Sequence, residues 1–342
     1  MKKKSLSVAR QAKTELNFQQ IYKIFKSNIS KKISKKNFAV AVSGGSDSLC
    51  LSYLSKKYGD EFGNKIKYLI VDHKLRKESS REALFVKKLL KQNKIQANIL
   101  THKGKKPLSN VQSKAREIRY NLISKECVKN KLRYLLTAHH EDDQVENFFI
   151  RLSRGSGLLG LSSMNESSKF LKNVVTLRPL LSFKKKDLEK ITKEKFTSFV
   201  RDPSNQNEKY LRIRIRKMRK LLFQQGLDTN KVIRTIENLK QSKEALDFYV
   251  NKAKRQYTKI FKQKVFINQS IFENEADAII YSVFSRIFLI FGKLKYPPRS
   301  KKIVFLLKNL KFHRKKKMTL GGCVFNSDMS KIVVTREKKK RL

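Results

Sequence analysis

The stretch from Phe38 to Ser48, FAVAVSGGSDS, decides the fold. Its five apolar residues are typical of a buried strand, and helical periodicity begins directly after the stretch, at Leu49. Glycines let a backbone approach an anion closely, while serine hydroxyls and the free N–H groups of a helix N-terminus donate hydrogen bonds to it. The stretch therefore predicts a phosphate-binding loop, which consists of Ser43, Gly44, Gly45, Ser46, Asp47 and Ser48.

This loop differs from two common nucleotide-binding motifs. It lacks the Gly-Lys followed by Ser or Thr of a Walker A loop, and it lacks the G-x-G-x-x-G of a dinucleotide site. The alternative to a phosphate-binding loop is an ordinary strand-to-helix turn with no ligand, in which the Asp47 charge interacts favourably with the helix dipole. The flanking strand and helix favour the phosphate loop.

Similar strands recur along the first part of the chain. The candidates are Phe38–Val42, Tyr68–Val71, Ala97–Leu100 and Tyr134–Ala138. Helical periodicity lies between and after them, at Leu49–Tyr58, Arg81–Gln92, Val111–Asn130 and Asp142–Leu152. Strands that alternate with helices predict an α/β fold with a parallel sheet, whose ligand lies at the carboxyl ends of the strands.

The pattern divides the chain into four parts. Residues 1–36 predict a basic helical lead-in, and residues 37–216 predict the α/β domain, of which 162–216 form a linker that folds back on the sheet. Residues 217–299 predict a helical domain. Residues 300–342 predict a small basic region with a hairpin formed by Leu320–Phe325 and Ile332–Thr335, and a solvated tail from Lys338.

The amino-acid composition limits the classes of partner that we expect for this protein. The 342 residues include 80 Lys and Arg against 28 Asp and Glu, a formal charge of +52. This charge favours a nucleic-acid partner, because lysine and arginine release counterions from phosphates; compositional drift in an AT-rich genome is the other source of such an excess. No apolar segment is long enough to span a bilayer, and the basic start lacks the apolar core of a signal peptide. We therefore expect no membrane partner and a cytoplasmic protein.

Further motifs follow the predicted strands. They are Val71–Arg76, Ala115-Arg116 with Arg119-Tyr120, Ala138–Asn147, Arg154–Gly157, Arg178–Leu181, and Asp202–Asn205 followed by Arg212, Arg214 and Arg216. The phosphate loop resembles that of the ATP-pyrophosphatase superfamily, also called the PP-loop superfamily. The combined set resembles the tRNA(Ile)-lysidine synthase family.

The resemblance implies a fold, substrates and a reaction. It implies a PP-loop catalytic domain at 37–216 and a tRNA-binding helical domain at 217–299, with ATP and Mg²⁺ as cofactors and Asp47 as the metal ligand. The family joins free L-lysine to C2 of the wobble cytidine of a tRNA(Ile) with a CAU anticodon, which then reads AUA instead of AUG. The cytidine is first adenylated with release of pyrophosphate, and lysine then displaces AMP. The oligomeric state stays open, with a homodimer as one alternative.

Two carboxylates suit this chemistry. The lysine amine has a solution pKa of about 10.4 and must lose a proton before it attacks, which a nearby carboxylate can accept. Asp143 and Glu146 are three residues apart on a predicted helix and hence on one face. The resemblance assigns the same pair to lysine, so we predict Asp47, Asp143 and Glu146 as catalytic residues. The alternative is that these acids only stabilise the helix dipole from the first turn of the helix. It accounts for Glu141 and Asp142 but not for Glu146, which lies a turn further on.

The remaining candidates are basic. We expect His139 and His140 beside the nucleotide or the substrate base, because no H-E-x-x-H spacing supports a zinc site. The predicted substrate-binding arginines are Arg116, Arg119, Arg154, Arg212 and Arg214, with Arg216 as a further contributor to phosphate or RNA binding. Their alternatives are a solvated helix face for Arg116 and Arg119 and a helix C-cap for Arg154.

Two rival functions remain. A PP-loop tRNA thiolation enzyme also adenylates a base, but it needs paired or cluster-binding cysteines. Cys50, Cys127 and Cys323 are far apart in the sequence and form no C-x-x-C pair. A non-catalytic RNA-binding protein with a degenerate nucleotide fold is the second rival, which the intact loop argues against.

Overall fold

The computed structural model describes residues 16–75, 78–104, 111–162, 164–170, 173–200, 208–294, 296–312 and 316–337. The first part of the predicted lead-in, Arg76, the Asp202–Asn205 segment and the tail from Lys338 lie outside these residues. The chain divides into two compact units, Met1–Ile236 and Glu237–Leu342.

The first unit is built on a six-stranded sheet with the order β3-β2-β1-β4-β6-β5. The strands are β1 (Phe38–Val42), β2 (Ile66–Asp72), β3 (Ala97–Thr101), β4 (Tyr134–Leu136), β5 (Ser167–Lys169) and β6 (Val175–Leu177). The helices are α1 (Phe18–Ile33), α2 (Ser46–Phe62), α3 (Ser79–Gln92), α4 (Val111–Lys129), α5 (Glu141–Leu152), α6 (Leu158–Leu161), α7 (Lys185–Lys195), α8 (Leu211–Gln224) and α9 (Thr229–Tyr257), which continues into the second unit. Every strand pair is parallel except β5 with β6, which confirms the predicted α/β fold.

Apolar side chains cover both faces of this sheet. In β1, Phe38 and Val40 belong to one buried cluster and Ala39 belongs to the other. This alternation follows from the two-residue period of a strand, and burial on both faces requires the continuous apolar run. The polar residues are therefore left to the loops at the strand ends, where the candidate site lies.

Helix α1 contributes to the core. Its Ile21, Phe25, Ile29 and Ile33 are fully buried, at the spacing of one helix face. The capping box of Asn17 and Gln20 begins the helix. The predicted boundary after residue 36 therefore separates a helix from the core to which it belongs, because the lysines on its outer face obscure the apolar stripe.

The predicted linker at 162–216 contains regular structure. The strands β5 and β6 extend the sheet beyond β4, and α7 packs against α2. These two strands are three residues long and, unlike the apolar β4, contain polar residues, so they show no continuous apolar run and are too short for a clear alternating pattern, and the sequence analysis missed them.

The second unit has its own sheet and core. The strands β7 (Thr258–Ile260), β8 (Lys264–Asn268), β9 (Lys316–Leu320), β10 (Cys323–Ser327) and β11 (Lys331–Arg336) form an antiparallel sheet in the order β7-β8-β11-β10-β9, with helices α10 (Ile271–Asn274), α11 (Asp277–Ile290) and α12 (Ser300–Phe312). The ring centroids of Phe284 and Phe325 lie 6.1 Å apart in the core. Residues before and after position 300 therefore share one core, unlike the predicted separate domains.

The predicted hairpin is present as β10 and β11, but its first strand is shorter than predicted. Gly321 and Gly322 have φ values of 59° and 73° and turn the chain between β9 and β10. Two consecutive residues with positive φ are typical of a type I′ hairpin turn. This turn divides the predicted strand Leu320–Phe325 and adds a second hairpin.

Within the described residues, no helix has both the length and the apolar character needed to cross a membrane.

Candidate functional site

The loop after β1 folds around the hydroxyl group of Ser48. The backbone N–H groups of Ser43 and Gly44 donate to Ser48 Oγ at 3.2 and 3.1 Å, and this hydroxyl donates to the carbonyl of Gly45 at 2.9 Å. Gly45 then caps α2. These two N–H groups converge on a hydroxyl beside the N-terminus of α2, and the phosphate-binding role of the loop stays a prediction.

Gly44 is the one loop position that excludes a side chain on two grounds. Its φ is +87°, and a Cβ atom there would lie 2.4 Å from Val86 Cγ2 and 3.1 Å from Val200 Cγ2. The Val200 N–H also donates to the Gly44 carbonyl at 2.9 Å. Val86 of helix α3 and Val200, which follows α7, therefore pack against Gly44 and leave no room for a side chain there.

Asp47 and His140 join the ends of β1 and β4. Asp47 lies in the first turn of α2, and its Oδ2 is 3.5 Å from His140 Nε2. Burial lowers the pKa of His140, but its hydrogen bond to Asp47 and the charges of Asp143, Asp47 and Asp142 outweigh burial, so the pKa is raised. His140 thus links the loop to α5, with its Nε2 3.5 Å from Asp47 Oδ2 and 3.5 Å from Asp143 Oδ2.

Asp143 begins α5 and also faces the site. Its Oδ2 accepts a hydrogen bond from the His140 backbone N–H at 3.1 Å, which makes it part of a capping box. Burial would raise the pKa of Asp143, but the charges of His140 and Arg212 prevail and lower it. Asp143 is therefore an ionised carboxylate.

Helix α8 brings arginines onto the two predicted carboxylates. Arg212 donates from Nη2 to Asp143 Oδ1 at 2.7 Å and from Nε to Glu146 Oε2 at 2.6 Å. Arg216 donates from Nε to Glu146 Oε1 at 2.5 Å. The sequence analysis assigned the acids and the arginines to different ligands, whereas the structure pairs them with each other.

One further arginine of α8 escaped the sequence analysis. Arg219 donates to Asp142 at the start of α5 and to the Thr229 hydroxyl. Arg212, Arg216 and Arg219 have the i, i+4, i+7 spacing of a single helix face, which was the available signal. Arg214 is exposed, away from this face, so the structure does not bring it to the carboxylates.

Among the other predicted residues, His139 follows β4, whereas Arg116 and Arg119 belong to helix α4. His139 is close to the site: burial lowers its pKa to about 4, and the charges of Asp143, Arg178, Arg116 and Arg212 act on it. Its Nδ1 is 3.0 Å from Thr137 Oγ1.

On α4, the Arg116 guanidinium lies 4.7 Å from the centre of the Tyr120 ring, and Arg119 Nε donates to His73 Nε2 at 3.3 Å. Arg154 is exposed just beyond the C-terminus of α5, so the structure does not group it with Asp143 and Glu146 at the start of that helix.

Asp47 is the candidate metal ligand. Within the described residues, no three His, Cys, Asp or Glu side chains are grouped so that they could hold a metal ion by themselves. Mg²⁺ commonly uses one or two carboxylates and completes its shell with water and substrate phosphates. The partly exposed Asp47 carboxylate, beside the predicted phosphate loop, fits that mode of binding.

Comparisons with known proteins identify the family of this chain. A family model described as the PP-loop domain matches residues 13–222. The tRNA(Ile)-lysidine synthase of Orientia tsutsugamushi (strain Boryong) is 35% identical over 87% of this chain and 69% of its own length. That of Wolbachia pipientis wMel is 32% identical over 88% of this chain and 71% of its own length.

Among solved structures, the U34-tRNA thiolase NcsA from Methanococcus maripaludis with its 4Fe–4S cluster is similar in fold, with a TM-score of 0.55 at 18% identity over 65% of this chain and 78% of that chain. Since the PP-loop match covers most of the first unit and the relatives cover most of the chain, this chain belongs to the tRNA(Ile)-lysidine synthase family of PP-loop proteins.

Proposed function

We propose that the protein ligates L-lysine to C2 of the wobble cytidine of tRNA(Ile) with a CAU anticodon, at the expense of ATP, forming AMP and pyrophosphate. The observation that carries the proposal is the contact between Asp47 and His140, which joins the anion-binding loop to the carboxylate pair of α5. The loop would bind the triphosphate of ATP, and the adjoining carboxylates would bind the ammonium group of lysine. This arrangement suits a reaction that uses both substrates. Family membership supports the same reaction.

In the first step, the loop binds the phosphates that leave. The N-terminus of α2, where Gly45 gives no side-chain cap, provides free N–H donors and the positive end of the helix dipole. The cytidine O2 attacks the α-phosphorus, the bond to the bridging oxygen of pyrophosphate breaks, and the leaving charge is stabilised by these donors. Mg²⁺ held by Asp47 would neutralise phosphate charge.

In the second step, the carboxylates bind the amine. Arg212 bridges Asp143 and Glu146, which marks the position where a cationic group is stabilised. A lysine ammonium makes the same kind of charge-assisted hydrogen bond. Once a carboxylate has accepted its proton, the amine attacks C2 of the cytidine, and AMP leaves with the cytidine oxygen.

The buried cysteines argue against thiolation. Cys50, Cys127 and Cys323 are free and buried in hydrophobic clusters. Burial raises the pKa of Cys127 to about 12, so this thiol is protonated and unreactive at neutral pH. Sulfur transfer or cluster binding needs accessible thiolates, which these positions do not offer.

The test uses purified protein, ATP, Mg²⁺, radiolabelled lysine and unmodified tRNA(Ile), followed by nucleoside analysis. We expect lysidine and AMP from the wild type. Asp47→Asn should abolish AMP formation, whereas Glu146→Gln should still adenylate the tRNA and lose lysine transfer.

Two outcomes would contradict the proposed function. Formation of ADP instead of AMP would exclude the α-phosphate chemistry. Binding of the tRNA without pyrophosphate release would favour the non-catalytic RNA-binding alternative.

A further inference from the structure

A distant segment of the chain holds two carbonyl groups of the phosphate loop. The Thr192 hydroxyl, on α7, donates to the Ser46 carbonyl at 2.8 Å, and the Val200 N–H donates to the Gly44 carbonyl at 2.9 Å. Thr192 is fully buried, and its bond to Ser46 joins residues 146 positions apart in the sequence. It adds a tertiary contact to a loop that is otherwise shaped by local hydrogen bonds to Ser48.

Each of these carbonyls shares a peptide group with an N–H of the loop. A peptide group is planar and trans, so its C=O and its N–H point in opposite directions. The bond to the Gly44 carbonyl therefore orients the Gly45 N–H, and the bond to the Ser46 carbonyl orients the Asp47 N–H. Within the part of the chain that the structure describes, neither N–H donates to a protein group. Both point away from α7 and are available as donors to an anion.

The Thr192 hydroxyl has a second acceptor within reach. The Leu188 carbonyl, one turn earlier in α7, lies 3.1 Å from Thr192 Oγ1. A hydroxyl has a single proton and donates it to one acceptor at a time. The shorter distance, 2.8 Å, is the one to Ser46 and favours the bond across to α2. Loss of the hydroxyl would leave the Ser46 peptide group to be oriented by α2 alone.

The same stretch of chain also contacts the start of α5. The Phe183 carbonyl accepts a hydrogen bond from the Glu141 N–H at 3.0 Å, and the Leu181 carbonyl accepts one from the Gln144 side chain at 2.9 Å. These contacts precede α7, whereas the contacts with the phosphate loop lie within and after it. A change at Thr192 should therefore reach the loop without disturbing the carboxylates of α5.

We propose that Thr192 is a positioning residue for the nucleotide step: it orients the Asp47 N–H, in the first turn of α2, towards the phosphates of ATP. This inference rests on the proposed function. The hydroxyl itself touches no substrate in this scheme and acts through the Ser46 peptide group. Donors that are oriented before the anion arrives need no reorganisation as charge develops on the leaving pyrophosphate.

The test measures the two half-reactions separately. Pyrophosphate exchange dependent on tRNA(Ile), at varied ATP concentration, reports on adenylation, and lysine transfer to adenylated tRNA(Ile) reports on the second step. Thr192→Val should lower kcat/KM for ATP in the exchange about three- to tenfold, the range for one net hydrogen bond, and leave lysine transfer unchanged. Thr192→Ser keeps the hydroxyl and should restore most of the wild-type value.

Two further variants control for structural damage. Thr192→Ala removes the hydroxyl without placing a methyl group against the Ser46 carbonyl, so it should lose as much exchange activity as Thr192→Val. Asn64→Ala is the matched control, because Asn64 is also buried and its Nδ2 donates to two main-chain carbonyls, of Ser34 and Lys36, at 2.8 and 2.9 Å. These carbonyls precede β1, at the end of the strand opposite to the phosphate loop. The variant should lower the midpoint of chemical denaturation and leave kcat/KM for ATP unchanged.

Equal losses in Thr192→Val and Thr192→Ser would overturn the inference, because the hydroxyl would then be irrelevant. So would equal losses in both half-reactions, or a loss of exchange in Asn64→Ala as large as in the Thr192 variants, since either would assign the effect to general stability. If the wild type instead shows no pyrophosphate exchange with ATP and tRNA(Ile), the proposed function fails, and this outcome is distinct from a difference between variants.

Discussion

The phosphate loop and the contact between α5 and α8 form adjoining parts of one site in different ways. The loop's hydrogen bonds to Ser48 join residues no more than five positions apart in the sequence. The contacts of Arg212 and Arg216 with the carboxylates join residues 66 to 70 positions apart. The loop is thus determined by local backbone chemistry, whereas the charge network exists only after the chain has folded.

This difference predicts different consequences of mutation. A change in the loop should act through backbone strain and should abolish the nucleotide step. A change in the charge network should act through pairwise coupling and should be partly compensated by a second change.

The largest effect is expected for Gly44→Ala. The added Cβ meets Val86 at 2.4 Å in a backbone conformation with φ of +87°. We expect AMP formation to fall by about 100-fold or more and stability to fall by about 2 to 4 kcal/mol. Pyrophosphate exchange and chemical denaturation measure the two effects.

Gly63→Ala is the matched control for this variant. Gly63 also has a positive φ, of +71°, but nothing lies within 4 Å of an added Cβ. It should lose only about 1 to 2 kcal/mol and keep full activity. If both variants behave alike, the loop is not held by its neighbours.

An intermediate effect is expected for the carboxylate network. Glu146→Gln removes the charge between Arg212 and Arg216, and we expect a loss of about 1 to 2 kcal/mol, discounted because both arginines are partly exposed. A double-mutant cycle with Arg216→Gln should give a coupling energy of about 1 kcal/mol or more. The exposed Arg214, changed to Gln, should show no coupling. Additive losses for Glu146 and Arg216 would mean that this ion pair contributes no coupling energy to stability.

The last expected effect depends on pH and is absent at neutral pH. Burial lowers the pKa of His139 to about 4, below the ordinary value of 6.5, so the unfolded chain binds more protons than the folded chain between these values. Stability contributed by neutral His139 is complete above the unfolded pKa and is lost as the pH falls towards 4.

We expect the wild type to lose about 1 to 2 kcal/mol more than His139→Gln between pH 7 and pH 5, measured by chemical denaturation. Equal losses in both proteins would show that His139 remains solvated and lies outside the network.

Much of the fold and the family was predictable from the sequence. The bounds of β1 and the α/β class are confirmed, because a run of buried apolar residues before a glycine-rich loop has few alternative structures. The family prediction is confirmed by relatives of 32% and 35% identity. The short strands β5 and β6 were missed because they contain polar residues and are only three residues long, and the buried face of α1 was missed because lysines mask its apolar stripe.

The partners of the site residues were less predictable. Asp143 and Glu146 were selected correctly as members of one helix face, but nothing local indicated that Arg212 and Arg216 would meet them. Arg178 was part of a recognised motif, yet only the structure shows that its Nε is buried without a hydrogen-bond partner among the described residues.

The amino-acid order alone determined the loop, the strand before it and the charge of each candidate side chain, because these depend on backbone freedom and on covalent chemistry. The tertiary structure decided which charges neutralise one another and which remain available to a substrate. Electrostatic energy depends on distance and burial, and neither is defined until helices far apart in the sequence pack together.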